Sequence, residues 1–388
     1  MPSIMLVAGE ASGDLHGATL ARHLRRLAPS VSLTGMGGAR MAEAGVGLLF
    51  DVTRLAVVGG SEAVRRVPAL YRTYRQLVSR LKEEPPRAVV LIDFPEFNLR
   101  VARQAKRLGI PVIYFIPPQV WAWRRGRVRV IARFASCVLV VFPFEVPLYD
   151  SAGACVKFVG HPLLDRLASP PARSESRQTL GIPAEATLVG LLPGSRREEV
   201  ERLLPEMLKA VALIRGARPD VQFVLAPAPT VDRTLVNSLR ARAPVPVPLA
   251  AGKTYEVMAA SDLLLVASGT ATLEAALIGT PMVVCYRVSR VSQLVGRLLL
   301  RTPWISLANI VAGRAVVPEL LQDDASGGRM AGEALRLLGL PEALGAQRAA
   351  LAEIRGKLGT AGVGERAARS VLEVAGLTTA APLSATGR

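Results

Sequence analysis

Histidine, cysteine and aromatic residues are scarce in this chain, and each shortage closes off a class of chemistry. Three histidines (His16, His23, His161) and three cysteines spread along the sequence (Cys137, Cys155, Cys285) form no Cys-x-x-Cys or His/Cys pairing that suggests a metal site. Cys137 and Cys285 fall in strand-like apolar runs, so the cysteines read as buried free thiols of a reducing compartment. Aromatics make up 5% of the 388 residues while half are apolar, so aliphatic packing must build the core. There is no Walker A loop, no Gly-x-Gly-x-x-Gly after the first apolar run and no Gly-x-Ser-x-Gly elbow. Asp-x-Asp, which would hold a divalent ion on a sugar nucleotide, is missing too. No apolar run approaches the roughly 18 residues of a spanning helix. The N-terminal run Ile4 to Ala8 is too short for a secretory signal, and Glu10 and Asp14 follow at once. These absences predict a cytoplasmic protein that touches a membrane from that side at most.

Acidic residues are also few: 31 Asp/Glu face 48 Lys/Arg, a net charge of +17. Residues 1–165 carry 22 of the bases against 12 acids. Such a surface favours phosphates, nucleic acid or anionic lipid. No nucleic-acid module is present, and the aromatics do not interleave with the basic runs, so nucleic acid is the weakest of the three.

What is present is a repeated alternation of apolar runs and helical patterns. SIMLVAG (3–9), AVVLID (88–93), IPVIYF (110–115), CVLVVFPF (137–144) and KFVGHP (157–162) read as buried parallel strands. Helices follow near 13–28, with Ser12 as cap, and near 120–134. SPPARSESRQ (169–178) has no apolar period and reads as a hinge. A second series then begins: TLVGLLPGS, VQFVLAP, DLLLVAS and PMVVCYR. The expected fold is α/β: two facing Rossmann-like, doubly wound domains with a cleft between them. The expected boundaries are 1–168, 169–340, helices over 341–373 that pack back or exchange in a dimer, and a disordered tail at 374–388.

Ligands of such sheets bind beyond the carboxyl ends of the strands, so the loops there are the places to search. GEASGD (9–14) allows a tight turn, and its Glu10 and Asp14 suit sugar hydroxyls or base chemistry rather than phosphate. TGMGGARM (34–41) is a similar loop. IDFPEFN (92–98) puts Asp93 and Glu96 at a strand end, where a carboxylate can take the proton of an attacking hydroxyl; Glu96 is equally suited to a helix N-terminus. PPQVWAWRRGRVRVIARF (117–134) sets Trp121 and Trp123 before Arg124, Arg125, Arg127 and Arg129, as sugar platform, core or lipid anchor. In LLPGSRREEV, Gly194, Ser195 and Arg196 bring a helix N-terminus and a guanidinium together, suited to a diphosphate. ASGTATLE (267–274) is a second such loop: Ser268, Gly269 and Thr270 can donate to phosphate, and Glu274 can accept from ribose hydroxyls. On this reading the leaving diphosphate is stabilised without a metal. Two basic amphipathic segments, 64–81 and 287–301, suit either an anionic lipid surface or an ordinary core-facing helix.

Taken in order, GEASGD, GMGG, DFPEFN, PPQVWAWR, FPFE, FVGHPL, LLPGSRxxEV, ASGTATLE and SLANIVAGR resemble the motif series of the lipid-A-disaccharide synthases over residues 5 to 321. The resemblance implies a GT-B fold and a dimer that exchanges C-terminal segments; no cofactor is expected. It implies inverting transfer of 2,3-diacylglucosamine from UDP to 2,3-diacylglucosamine 1-phosphate, with a β-1,6 bond formed and UDP released at the cytoplasmic membrane surface. By motif, Arg196, Ser268, Gly269, Thr270 and Glu274 would bind UDP, and Glu10, Glu96 and Asn309 would lie near the reacting sugars. Two positions depart from the family pattern: Glu96 stands for the usual Asp, and Gly59-Gly60 for Met-Gly. The rival readings are other GT-B enzymes, namely the transferase that adds N-acetylglucosamine to the peptidoglycan lipid precursor and a nonhydrolysing sugar-nucleotide epimerase. The first opens with a Gly-Gly-rich loop ending in His, unlike GEASGD; the second needs no lipid-docking surface.

Overall fold

The computed structural model describes residues 1–51, 63–121, 126–289 and 302–377, with only the backbone for 63–67. The chain divides into two compact units, Met1–Asp165 with Thr360–Arg388, and Arg166–Gly359.

The first unit holds a seven-stranded sheet: β1 (Ser3–Ala8), β2 (Ser32–Gly37), β3 (Gly47–Asp51), β4 (Ala88–Ile92), β5 (Val112–Phe115), β6 (Cys137–Val140) and β7 (Val156–Phe158). Its spatial order is β3-β2-β1-β4-β5-β6-β7, and every pairing is parallel. Residues of β1, β4, β5 and β6 are buried almost throughout, the mark of a sheet covered on both faces. Met5, Val7, Val89, Leu91, Tyr114 and Val138 anchor one side of its core. The helix Ala11–Leu27 follows β1, with Glu10 rather than Ser12 at its N-cap position.

The second unit holds five parallel strands: β8 (Leu188–Leu192), β9 (Gln222–Leu225), β10 (Leu263–Ala267), β11 (Met282–Tyr286) and β12 (Glu319–Leu321). The order is β12-β11-β10-β8-β9. The helices Arg197–Ala217 and Gly327–Gly339 cover one face, burying Leu203, Met207, Met330 and Ala334 among others.

The segment expected as a hinge is instead ordered. Residues Arg173–Leu180 form a helix of the second unit. Lacking an apolar stripe, this helix is fastened by charge. Arg177, 4% exposed, donates to Asp262 at 2.9 Å and to the carbonyls of Ala260 and Pro183. Arg173 bonds the other Asp262 oxygen. The C-terminal helices also divide: Pro341–Lys357 belongs to the second unit, and Val363–Val374 returns to the first, packing on the helix Ala11–Leu27. Asp165 caps the returning helix, accepting from the amides of Gly362, Val363 and Gly364 at 2.5–3.1 Å.

Candidate active site

In each sheet the strand order reverses at one place, and the sequence-predicted loops stand there. In the first unit the reversal lies between β1 and β4, whose ends carry Gly9-Glu10 and Asp93 to Glu96. In the second it lies between β8 and β10, whose ends carry Gly194 to Arg196 and Ser268 to Thr270. Open α/β sheets bind their ligands at such switch points.

At the first switch point the backbone is strained. Asp93 (φ 49°) and Phe94 (φ 45°) are consecutive non-glycine residues in the left-handed region, which persists only where the surroundings enforce it. Here the Asp93 carbonyl is held by the Asn98 amide at 2.7 Å and the Tyr114 hydroxyl at 2.9 Å. The Phe94 ring lies against Gly9, where any Cβ would collide with it. Burial, then the neighbouring Glu10 carboxylate, pushes the Asp93 carboxyl above its ordinary range. Glu10 itself is exposed, and Glu96 stands exposed in the first turn of the helix Pro95–Arg107, paired with Arg127.

One expectation for this unit changes, and one open alternative is decided. Asp14 is not presented to a ligand; it is buried and accepts from the amides of Gly38, Arg40 and Met41, capping the helix Ala39–Glu43. Trp121 is core, 6% exposed and edge-on to Phe142 and Phe144. Trp123, Arg124, Arg125 and Gly59-Gly60 lie outside the described residues. Of the cysteines, Cys155 is exposed rather than buried, and its sulfur lies 3.2 Å from that of Cys137 on the adjacent strand.

The second unit contains a cavity of about 640 Å³ lined by Gly194, Ser195, Arg196, Ser268, Gly269, Thr270 and Glu274, so seven predicted donor-site residues share one space. Gly269 (φ 144°) precedes the helix Thr270–Ile278, whose start bears no side-chain cap. The amides of Thr270 and Ala271, both cavity-lining residues, are therefore the open anion donors, that of Thr272 being bonded to the Gly269 carbonyl. Ser268 donates its hydroxyl to the Ile305 carbonyl at 3.0 Å. Glu274 accepts from the Tyr255 hydroxyl at 2.7 Å, and Arg166 lies over the Tyr255 ring at 5.1 Å. Sequence reading missed both Tyr255 and Arg166, which line the cavity from outside the strand-end loops.

The predicted convergence at Arg196 is only half realised. The amides of Ser195 and Arg196, and the Arg196 guanidinium, are already bonded to Glu199. Asn309 is a correction. It is 1% exposed and lies outside the cavity lining. Its amide nitrogen donates to Val317 O and Glu319 Oε1, and its oxygen accepts from the amides of Val316 and Val317. With all four bonds made, it braces the neighbouring loop.

The sequence model of lipid-A-disaccharide synthetase matches residues 4–349. The chain belongs to the lipid-A-disaccharide synthase family. Relatives carrying that name include one from Geobacter sulfurreducens, 46% identical over 96% of this chain and 97% of its own length. Another, from Anaeromyxobacter dehalogenans, is 47% identical over the same shares. The chain is thus a glycosyltransferase with a UDP-sugar donor, and its activity is that of the family, formation of the lipid A disaccharide. Its fold is of the GT-B type. It is similar to a UDP-GlcNAc 2-epimerase from Neisseria meningitidis, solved with UDP-GlcNAc (TM-score 0.64, 14% identity, 96% of this chain and 100% of that one). A second similar structure is an S. aureus protein solved with UDP (TM-score 0.65, 13% identity, 97% and 98% covered). At such identities the likeness is one of fold. Among the described residues no helix is long and apolar enough to cross a membrane.

Proposed function

We propose that this member moves 2,3-diacylglucosamine from UDP onto the 6-hydroxyl of 2,3-diacylglucosamine 1-phosphate, with inversion, at the cytoplasmic membrane surface. One observation carries the donor half: two strand-end loops predicted separately to hold phosphate line the same cavity. UDP places its diphosphate on the open end of the helix Thr270–Ile278 and on Arg196. Glu274, fixed by Tyr255, accepts from the ribose hydroxyls. As the glycosidic bond to the diphosphate breaks, the growing negative charge falls on preorganised N–H groups, which stabilise it more than water does. That both similar structures were solved with UDP or a UDP-sugar agrees with this reading.

For the acceptor half, the hydroxyl must lose a proton as it attacks the anomeric carbon. Glu96 is the exposed carboxylate at the β4 end, steadied by Arg127, and takes that proton. Asp93 and Glu10 position the sugar hydroxyls. The raised carboxyl of Asp93 favours a second assignment in which Asp93 is the base and Glu96 the positioning group. The +17 charge suits an anionic membrane and a phosphorylated acceptor. A homodimer with exchanged C-terminal segments is part of this proposal. The deciding experiment is incubation with UDP-2,3-diacylglucosamine and the monophosphate acceptor. A product with the mass of the disaccharide 1-phosphate, with stoichiometric UDP, is expected; UDP release without that product would refute the acceptor.

A further inference from the structure

We propose that Glu199 is an internal stand-in for the donor's diphosphate, holding the Gly194–Arg196 loop in its anion-binding form until the donor displaces it. This rests on the reading of the second unit's cavity as the UDP-sugar site.

The two phosphate loops of that cavity are in different states. The Gly269–Ala271 end has no side-chain cap. At the other end the Ser195 and Arg196 amides are occupied. Glu199 Oε2 accepts from the amides of Ser195 at 3.0 Å and Arg196 at 3.2 Å, while Oε1 pairs with Arg196 Nη1 at 2.9 Å. Two backbone amides and one guanidinium on a single oxyanion form the donor set that a phosphate group takes. Gly194 makes the arrangement possible. At φ 117° it accommodates a turn that L side chains rarely adopt, and a Cβ there would come within 2.7 Å of Glu199 Oε2. The Arg196 side chain is 82% exposed and that of Glu199 15% exposed, so the paired guanidinium has room in solvent to turn while the carboxylate is packed into the cavity wall.

A diphosphate cannot take these three donors while Glu199 keeps them, because the two anions repel and compete for the same N–H groups. Donor binding therefore exchanges one anion for another, and Glu199 rotates away as Arg196 turns to the ligand. In the empty enzyme the same carboxylate prevents the loop from collapsing around unpaired amides. It also weakens the grip on any diphosphate, which speeds UDP release after transfer.

The test is calorimetric titration of the full-length protein with UDP and with uridine. Glu199→Gln keeps a carbonyl oxygen for the Ser195 and Arg196 amides but removes the competing charge. We expect it to bind UDP about tenfold more tightly, about 1.4 kcal/mol, with uridine affinity unchanged. Glu199→Ala, checked for folding by its melting curve, also loses the support of the loop, so its gain in UDP affinity should be smaller than that of Glu199→Gln. A purely structural cap predicts the opposite: both variants would bind UDP as wild type does or more weakly. That outcome, with wild type still binding UDP, overturns the role of Glu199 alone. Failure of wild type to bind UDP overturns the site itself.

Discussion

Two carboxylates stand at the end of β4, and they differ in what surrounds them. Asp93 is half-buried on a strained backbone with Glu10 beside it; Glu96 is exposed and paired with Arg127. If Glu96 is the base, Glu96→Gln removes proton acceptance without touching the UDP cavity. The turnover rate should then fall by about 10²- to 10⁴-fold, the usual contribution of a general base, with UDP affinity unchanged. Asp93→Asn should cost about tenfold through acceptor positioning. Steady-state kinetics on both variants checks this, and the reverse ranking would assign the base to Asp93. At this scale the sequence identifies residue types but not whether their bonding capacity is already spent. Asp14 and Glu199 stand in helices that follow strand ends, and Asn309 in the helix Leu307–Ala312. Asp14 and Asn309 are consumed by capping and loop bracing. Nothing local in the sequence distinguishes Asp14 and Asn309 from Glu274, because their partners come from segments 7 to 27 residues away.

Elements were legible wherever burial was total. Continuous apolar runs gave β1, β4, β5, β6, β8, β10 and β11 because a two-sided parallel sheet admits little else. The strands without such runs, β2 (SLTGMG), β3 (GLLFD) and β12 (ELL), were not legible: glycine, a half-buried edge and a three-residue length each erase the pattern. The helix Arg173–Leu180 was hidden for another reason, since Asp262, far along the chain, supplies its anchor. The turn that ends β6 shows how an element can hold a titratable group. Glu145 is 1% exposed and closes that turn by accepting from the amides of Val141 and Phe142. Burial pushes its carboxyl up to about 7. The folded protein therefore binds a proton that the unfolded chain, titrating near its ordinary value of 4.5, has released. Stability from this group is full below about pH 4.5 and declines as pH rises towards 7. The loss is on the order of 3 kcal/mol at 1.36 kcal/mol per unit. Glu145→Gln should flatten that part of the stability profile, so that denaturant midpoints of wild type and variant differ more at pH 5 than at pH 8 in the wild type's favour. Parallel profiles would show that Glu145 does not titrate in this window.

For the whole molecule, the dominant physical feature is its +17 charge. Among the described residues no helix is long and apolar enough to cross a membrane. Of the two basic segments singled out in the sequence, 287–301 falls almost wholly outside the described residues. The other is the helix Ala63–Glu83, and its apolar side is largely committed to the core: Leu77 and Leu81 are fully buried, with Leu70 and Tyr74 packed beside them. What remains outward is a cationic face of Arg72 and Arg75 with Tyr71 61% exposed beside them, Arg80 being paired with Glu84 at 3.0 Å. That face can attract anionic lipid but cannot insert deeply, so attraction rather than burial should govern binding. Each Lys or Arg near an anionic surface contributes about 1 kcal/mol, and the attraction decays within a Debye length. The protein should accordingly float with phosphatidylglycerol vesicles at low ionic strength and stay behind with phosphatidylcholine alone. It should be released as salt approaches about 1 M, where screening shortens to roughly 3 Å. Replacing Arg72 and Arg75 together by Glu should weaken flotation about tenfold or more, since two attractive charges become repulsive. Equal binding to neutral vesicles would point to apolar insertion by another segment, and an unchanged double variant would move the docking face away from this helix.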